Sequence, residues 1–247
     1  MRKIKKRAME TLPKVTVIIP SLNEAKGIGK CIKSILDGAL KPFEIILADS
    51  HSKDGTDDIA RKLGAKVIYT PRGGPGIARN VAAKIAKGDI LAFTDADTVV
   101  ANDWIERIAK NFANDKKLWG VGGIQKPFDG RIWDEFHYAI QLNILPRVGS
   151  FIGMGALSTA NCAYRKDIFL AIGGFDESLS MFEDGELSHR MLKKGKLIVD
   201  GKLIVNTSAR RMQQIGIIRL NGMYLRAFIS LMGNKPIIEP YFDTIEH

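Results

Sequence analysis

Cysteine is nearly absent from this chain. Cys31 and Cys162 are the only two in 247 residues, and neither belongs to a CxxC pair or a Cys/His cluster. That argues against a disulfide framework and a structural zinc site, and makes a reducing, cytoplasmic location the expectation. No run reaches the roughly 18 uninterrupted apolar residues that a membrane span requires. The nearest approach, Ile215 to Gly233, is broken by Arg219, Asn221 and Arg226. The first residues are not followed by an apolar core, so they do not read as a secretory signal. Internal repeats and low-complexity segments are lacking as well.

What the chain does have is positive charge, a net +10 with 45% hydrophobic and 26% charged residues. The length and hydrophobic content suit one sizeable domain with at most a small appendage. Arg2, Lys3, Lys5, Lys6 and Arg7 make residues 1–13 a basic arm. Such an arm either stays solvated or is drawn to an anionic membrane surface, which would place the protein peripherally on the inner face. Nucleic acid is not the expected partner. Residues 212–247 read as an amphipathic helical extension, with Arg219 and Arg226 on one face and Leu225, Phe228 and Ile229 supplying apolar surface elsewhere. That helix either lies on a membrane or packs on the body of the protein.

From residue 14 onward, short apolar runs alternate with helical patterns. Strands are expected at Val15–Ile19, Glu44–Ala48, Lys66–Tyr69 and Ile90–Thr94, with helices over 24–36, 56–63 and 77–86. This alternation means βαβ units and an α/β fold with a mostly parallel sheet flanked by helices. Ligands of such sheets sit outside the carboxyl ends of the strands. Three of those ends carry polar groups: Pro20-Ser21-Leu22-Asn23-Glu24, Asp49-Ser50-His51 and Asp95-Ala96-Asp97. Beyond residue 125 the pattern loosens. An aromatic-rich helix over 131–146, a strand Ser158–Tyr164, a helix over 183–194 and an apolar hairpin (Leu197–Val199 with Leu203–Val205) are expected there.

Five strings, in this order and spacing, resemble the family 2 glycosyltransferases over roughly residues 14–211. They are VTVIIPSLNE (15–24), EIILADSHSKDGT (44–56), TDAD (94–97), NCAYR (161–165) and FEDGEL (182–187). The resemblance implies a GT-A, Rossmann-like fold, with a nucleotide-binding half over about 14–125 and an acceptor half over about 126–211. It also implies inverting, metal-dependent transfer from a nucleotide-sugar donor to a glycan hydroxyl or a polyprenyl-linked lipid. The processive-synthase signature Gln-x-x-Arg-Trp is absent; Gln213-Gln214 is followed by Ile215 and Gly216.

The resemblance assigns a Mg²⁺ or Mn²⁺ ion to Asp97, with Asp95 near the ribose. A hard cation on a carboxylate is what a departing diphosphate needs, although a strand-end turn capping the next helix would look the same. Asp49 takes the place of a base-reading aspartate. Many relatives have a second Asp followed by Gly where this chain has Ser50 and His51; His51 either stacks on or bonds the base, or is merely exposed. Pro20, Ser21 and Glu24 line the first strand end, Glu24 being equally suited to a helix first turn. Arg79 and Asn80 follow a glycine-rich loop whose amides suit phosphate, or form part of an ordinary amphipathic helix. Asp184, with Glu183 beside it, matches the general base of an inverting transfer; the same pair also suits a helix N-terminus. Asn161 is expected to shape the acceptor side, and Arg210 and Arg211 to approach the diphosphate or lipid phosphates. Two rival readings are a sugar-nucleotide pyrophosphorylase and a non-catalytic protein that docks on membranes or polyanions through its charge.

Overall fold

The computed structural model describes residues 12–129, 138–144, 157–179 and 182–232, apart from some side chains in the turn at 138–144 and in the last two helices. Among these residues one sheet holds eight strands in the order β3-β2-β1-β4-β7-β6-β8-β5. The strands are β1 (Val15–Ser21), β2 (Glu44–Asp49), β3 (Lys66–Tyr69), β4 (Ile90–Phe93), β5 (Thr98–Val100), β6 (Leu118–Pro127), β7 (Cys162–Arg165) and β8 (Lys196–Thr207). The β3-β2-β1-β4 half is parallel throughout. In the other half β7 runs antiparallel to β4 and β6, β8 is parallel to β6, and β5 closes the edge antiparallel to β8. The helices are α1 (Ala25–Leu36), α2 (Thr56–Lys62), α3 (Pro75–Ile85), α4 (Trp104–Asn114), α5 (Lys166–Ala171), α6 (Glu183–Leu192), α7 (Arg210–Ile215) and α8 (Ile217–Met232).

The inner strands of the parallel half, β1, β2 and β4, are largely buried and apolar because both faces are covered; the edge strand β3 is exposed at Lys66 and Tyr69. Val15, Val17 and Ile19 of β1 face a core completed by Ile28 and Ile32 of α1 and Trp104 and Phe112 of α4. Ile18 faces the opposite core, filled by Ala78 and Ala82 of α3, Phe93, Phe169, Phe175 and Leu187. Four aromatic rings cluster there, Phe93 and Phe169 each lying 5.3–6.1 Å from the other and from Tyr164 and Phe175.

Three expectations are corrected. The apolar hairpin is a single long strand: Ile198 and Val199 pair with Val121 and Gly122, and Ile204 and Val205 with Ile124 and Gln125, all in the same direction. The Asp200-Gly201-Lys202 segment is a bulge rather than a reversal, tethered where Asn111 Nδ2 donates to Asp200 at 3.0 Å. The strand expected from Ser158 begins only at Cys162, because Asn161 N donates back to Ser158 O at 3.0 Å and closes a turn. Of the aromatic-rich helix, Tyr138–Ile144 is a π-helical turn; Trp133, Phe136 and Pro146 lie outside the described residues, as do the basic arm through residue 11 and residues 233–247. No described helix is long and apolar enough to cross a membrane.

Candidate active site

The chain reverses its direction of progress across the sheet between β1 and β4, the switch point where open α/β sheets bind ligands. Here Pro20 shapes the opening. Thr94 N donates to Ile18 O at 3.3 Å, and Pro20, whose N–H would have come next on that side, has none. Toward β2 the ladder runs on to the Ser21–Asp49 pair, and Ser50 N donates to Ser21 O at 2.9 Å. The β1–β4 edge therefore ends earlier than the β1–β2 edge.

Asp49 sits at the floor of this end, fully buried. Its carboxylate accepts from Ser21 Oγ at 2.8 Å, Ser52 N at 2.8 Å and Ser52 Oγ at 2.5 Å. The two loops are laced together around it. Asn23 N donates to Ser52 Oγ, Lys53 N to Asn23 Oδ1, and Ala25 N to Asp54, which thereby caps the start of α1. His51, at φ 63, is turned outward and stacks on Tyr69 with its ring 5.3 Å away and 8° from parallel.

The centre of the site is Arg79, which α3 carries inward until it is only 2% exposed. One guanidinium nitrogen donates to Asp95 at 2.8 Å and another to Glu183 at 2.8 Å. Burial works against its charge, but the two carboxylates outweigh it and hold its pKa above the ordinary value. The ring of Phe175 lies 5.8 Å from the guanidinium. Asn80, the next residue, clasps the chain that carries this ring: it donates to Phe175 O and Glu177, and accepts from Phe175 N at 2.9 Å. Arg79 thus ties the end of β4 to the start of α6, and Asn80 holds the support beneath it.

Glu183 and Asp184 open α6 directly after Phe182, whose φ of 64 lies in the left-handed region. Such a conformation is costly for a bulky residue, and it turns the chain abruptly into the helix. Burial, followed by the neighbouring Glu183 charge, raises the Asp184 carboxyl to about 7, against the pull of the Gly185 amide, Arg79 and the Thr159 amide. A carboxyl titrating near neutrality is suited to taking a proton.

Asp97 is half-buried on the turn between β4 and β5. Helix α1 presses against this turn at Gly27, where an added Cβ would come within 2.9 Å of Ala96 O and 3.1 Å of Asp97 Cα. Cys31 lies one helical turn further along, its thiol donating to Asp95 O. Burial pushes that thiol's pKa up, and Asp97 and Asp95 add to the effect. On the other side, Thr98 and Thr207 pair across β5 and β8, with their hydroxyls 3.1 Å apart. That pairing brings Arg210 beside the turn, where its guanidinium donates to the Glu24 carboxylate at 3.0 and 3.2 Å. The side chain of Arg211 lies outside the described residues.

Two oxygen-bearing aspartates two residues apart fit a hard cation such as Mg²⁺ or Mn²⁺. Among the described residues no three His, Cys, Asp or Glu side chains form a metal cage. A cation here would take its remaining ligands from phosphate and water, as Mg²⁺ commonly does.

The structure therefore gathers Pro20, Ser21, Glu24, Asp49, Arg79, Asp95, Asp97, Glu183, Asp184 and Arg210 around the carboxyl edge of the sheet. Asn161 is elsewhere in its connections. It is fully buried, donating to Ile124 O and Leu203 O at 3.0 Å and accepting from Trp104 Nε1 at 2.8 Å. Its amide joins β6, β8 and α4, with both N–H groups spent on backbone carbonyls. Ser52, Phe175 and Asp129 were missed by sequence reading. Asp129 accepts from Ser208 Oγ at 2.5 Å and Ala209 N at 2.6 Å, and so fixes the segment leading to Arg210. The Ser-Lys-Asp-Gly-Thr loop (52–56) after Asp49 was a usable signal for Ser52; nothing local announced the other two.

The family described as "Glycosyl transferase family 2" matches residues 16–173. The chain is 33% identical over 160 residues to a 4,4'-diaponeurosporenoate glycosyltransferase of Staphylococcus haemolyticus, covering 59% of this chain and 40% of that protein. It is 29% identical over 196 residues to the succinoglycan biosynthesis protein ExoA of Rhizobium meliloti, covering 72% and 58%. The chain thus spans well under two thirds of the length of these relatives. Among solved structures it is similar to the mannosyltransferase PcManGT from Pyrobaculum calidifontis in complex with GDP-Man and Mn²⁺, with a TM-score of 0.65, 21% identity and coverage of 88% and 66%. It is also similar to residues 1–349 of TarS from S. aureus, with a TM-score of 0.66, 24% identity and coverage of 80% and 61%. At such identities the likeness shows a common fold.

Proposed function

Because the chain belongs to glycosyl transferase family 2 and has the GT-A fold, we propose that it moves a sugar from a nucleotide-sugar donor to an acceptor hydroxyl with inversion. The observation that carries this reading is the buried Asp95–Arg79–Glu183 bridge. It fastens a strand-end aspartate pair to a helix start whose Asp184 titrates near 7, so that leaving-group and attacking sides share one cleft.

Asp184 takes the proton of the acceptor hydroxyl as its oxygen approaches the anomeric carbon. Glu183 stays paired with Arg79, which fixes the orientation of its neighbour. Asp97, with Asp95 beside it, would hold Mg²⁺ or Mn²⁺, whose contribution is to neutralise charge on the diphosphate. Arg210 stands ready to exchange Glu24 for phosphate oxygens, a bidentate match that guanidinium geometry favours. Asp49 acts on a nucleobase at one remove, since Ser21 donates to it and keeps oxygen lone pairs for an incoming N–H. A hydroxyl on a glycan is favoured over a polyprenyl phosphate as acceptor, because an anionic phosphate needs no base like Asp184.

Thermal unfolding with UDP-, GDP- and dTDP-sugars, with and without Mn²⁺, tests the donor site, since a ligand of the native state raises the melting temperature. One donor is expected to stabilise the wild type only with metal, and Asp97→Ala is expected to lose that response. Asp184→Asn should keep the response while transfer falls by at least about 100-fold. Near-wild-type transfer by Asp184→Asn would remove the base assignment.

A further inference from the structure

We infer that α8 is a membrane-surface helix, which docks the protein on an anionic bilayer through Leu225 and Ile229. This is independent of the catalytic reading. Leu225 and Ile229 are each 60% exposed and stand four residues apart, so they lie on one helical face. Ile218, Gly222 and Met232 continue the same i+3/i+4 stripe in the sequence. Among the described side chains of α8 only Leu220 is buried.

The charge around this stripe selects the partner. From Gly201 to Met232 there is no Asp or Glu, while Lys202, Arg210, Arg211, Arg219 and Arg226 are all cationic. Arg219 and Arg226 are exposed and seven residues apart, one face over two turns. An apolar stripe on a helix that carries Arg219 and Arg226 and no acidic residue suits anionic lipid headgroups above acyl chains. It does not suit a neutral protein surface. At 16 residues the helix is about 24 Å long and is interrupted by Arg219 and Arg226, which fits lying on a bilayer and not crossing it. Two more exposed apolar side chains, Phe128 and Ile140, belong to elements bonded to the segment that leads into α7. Phe128 N donates to Thr207 O, and Tyr138, two residues before Ile140, donates its hydroxyl to Ser208 O.

Co-sedimentation of the full chain with vesicles tests the inference. At about 0.15 M salt the protein is expected to pellet with phosphatidylcholine vesicles that also contain phosphatidylglycerol, and to remain in solution with phosphatidylcholine alone. The double variant Leu225→Glu/Ile229→Glu should weaken binding by more than about tenfold, as should Arg219→Glu/Arg226→Glu. Both should keep the wild-type melting temperature, the replaced side chains being exposed. Neutralising Arg2, Lys3, Lys5, Lys6 and Arg7 separates the arm from the helix, and the Leu225/Ile229-dependent part should persist. Undiminished binding by Leu225→Glu/Ile229→Glu overturns the inference. So does a parent that ignores both vesicles but forms a dimer that this variant dissociates, since the stripe would then be an interface between copies. A metal-dependent melting shift with donor, unchanged in these variants, keeps this test separate from that of the active site.

Discussion

At the scale of single residues, the Asp184 carboxyl carries the clearest consequence. Its pKa of about 7 stands above the ordinary 3.8, so the folded protein binds this proton more tightly than the unfolded chain. The site therefore costs stability as pH rises from about 4 to 7, fully so above 7. Asp184→Asn should consequently melt a few degrees higher than wild type at pH 8, with the difference vanishing near pH 4. The transfer rate of the wild type should rise with pH through about 7, following the carboxylate. Arg79→Met makes the opposite case: it strands two carboxylates and should destabilise by about 3–5 kcal/mol in chemical denaturation. The sequence showed which types of residue stand at the strand ends, but not who holds whom. Arg79 and Glu183 are 104 positions apart, and Asn161 meets Trp104, Ile124 and Leu203 only through the folded sheet. No local pattern distinguishes such a buried clasp from a residue facing a ligand.

At the scale of elements, what was legible follows from burial. The strands β1, β2 and β4 announce themselves as apolar runs because helices cover both sides, and their polar ends mark where the cover stops. The β8 strand misled because Asp200-Gly201 looks like a reversal; whether such a pair turns the chain back or bulges depends on β6, which offers a partner on both sides of it. The packing of α1 onto the Asp95–Asp97 turn adds a test of its own. Gly27→Ala should favour the helix by propensity, up to about 1 kcal/mol, yet its methyl presses on Ala96 O. Melting temperature is expected to change little, while metal-dependent donor binding weakens severalfold in a thermal-shift titration.

At the scale of the whole molecule, the α/β architecture could be read from the order of patterns, and the GT-A assignment from five strings in series. β5 and β6 could not, because β5 is only three residues long and β6 is rich in glycine, so the antiparallel half they complete with β7 and β8 did not stand out. Gly216, at φ 84, separates α7 from α8. Cutting the chain after Gly216 is therefore expected to shift the melting temperature by only a few degrees while removing vesicle binding.

The place of Pro20 has a wider implication. Zipping two neighbouring strands together is the default of any sheet, and it takes a specific interruption to leave a slot between them. In this protein the interruption is a single hydrogen atom that an imino acid does not carry. Evolution could deepen or close such a slot by one codon change, without touching any group that meets the substrate.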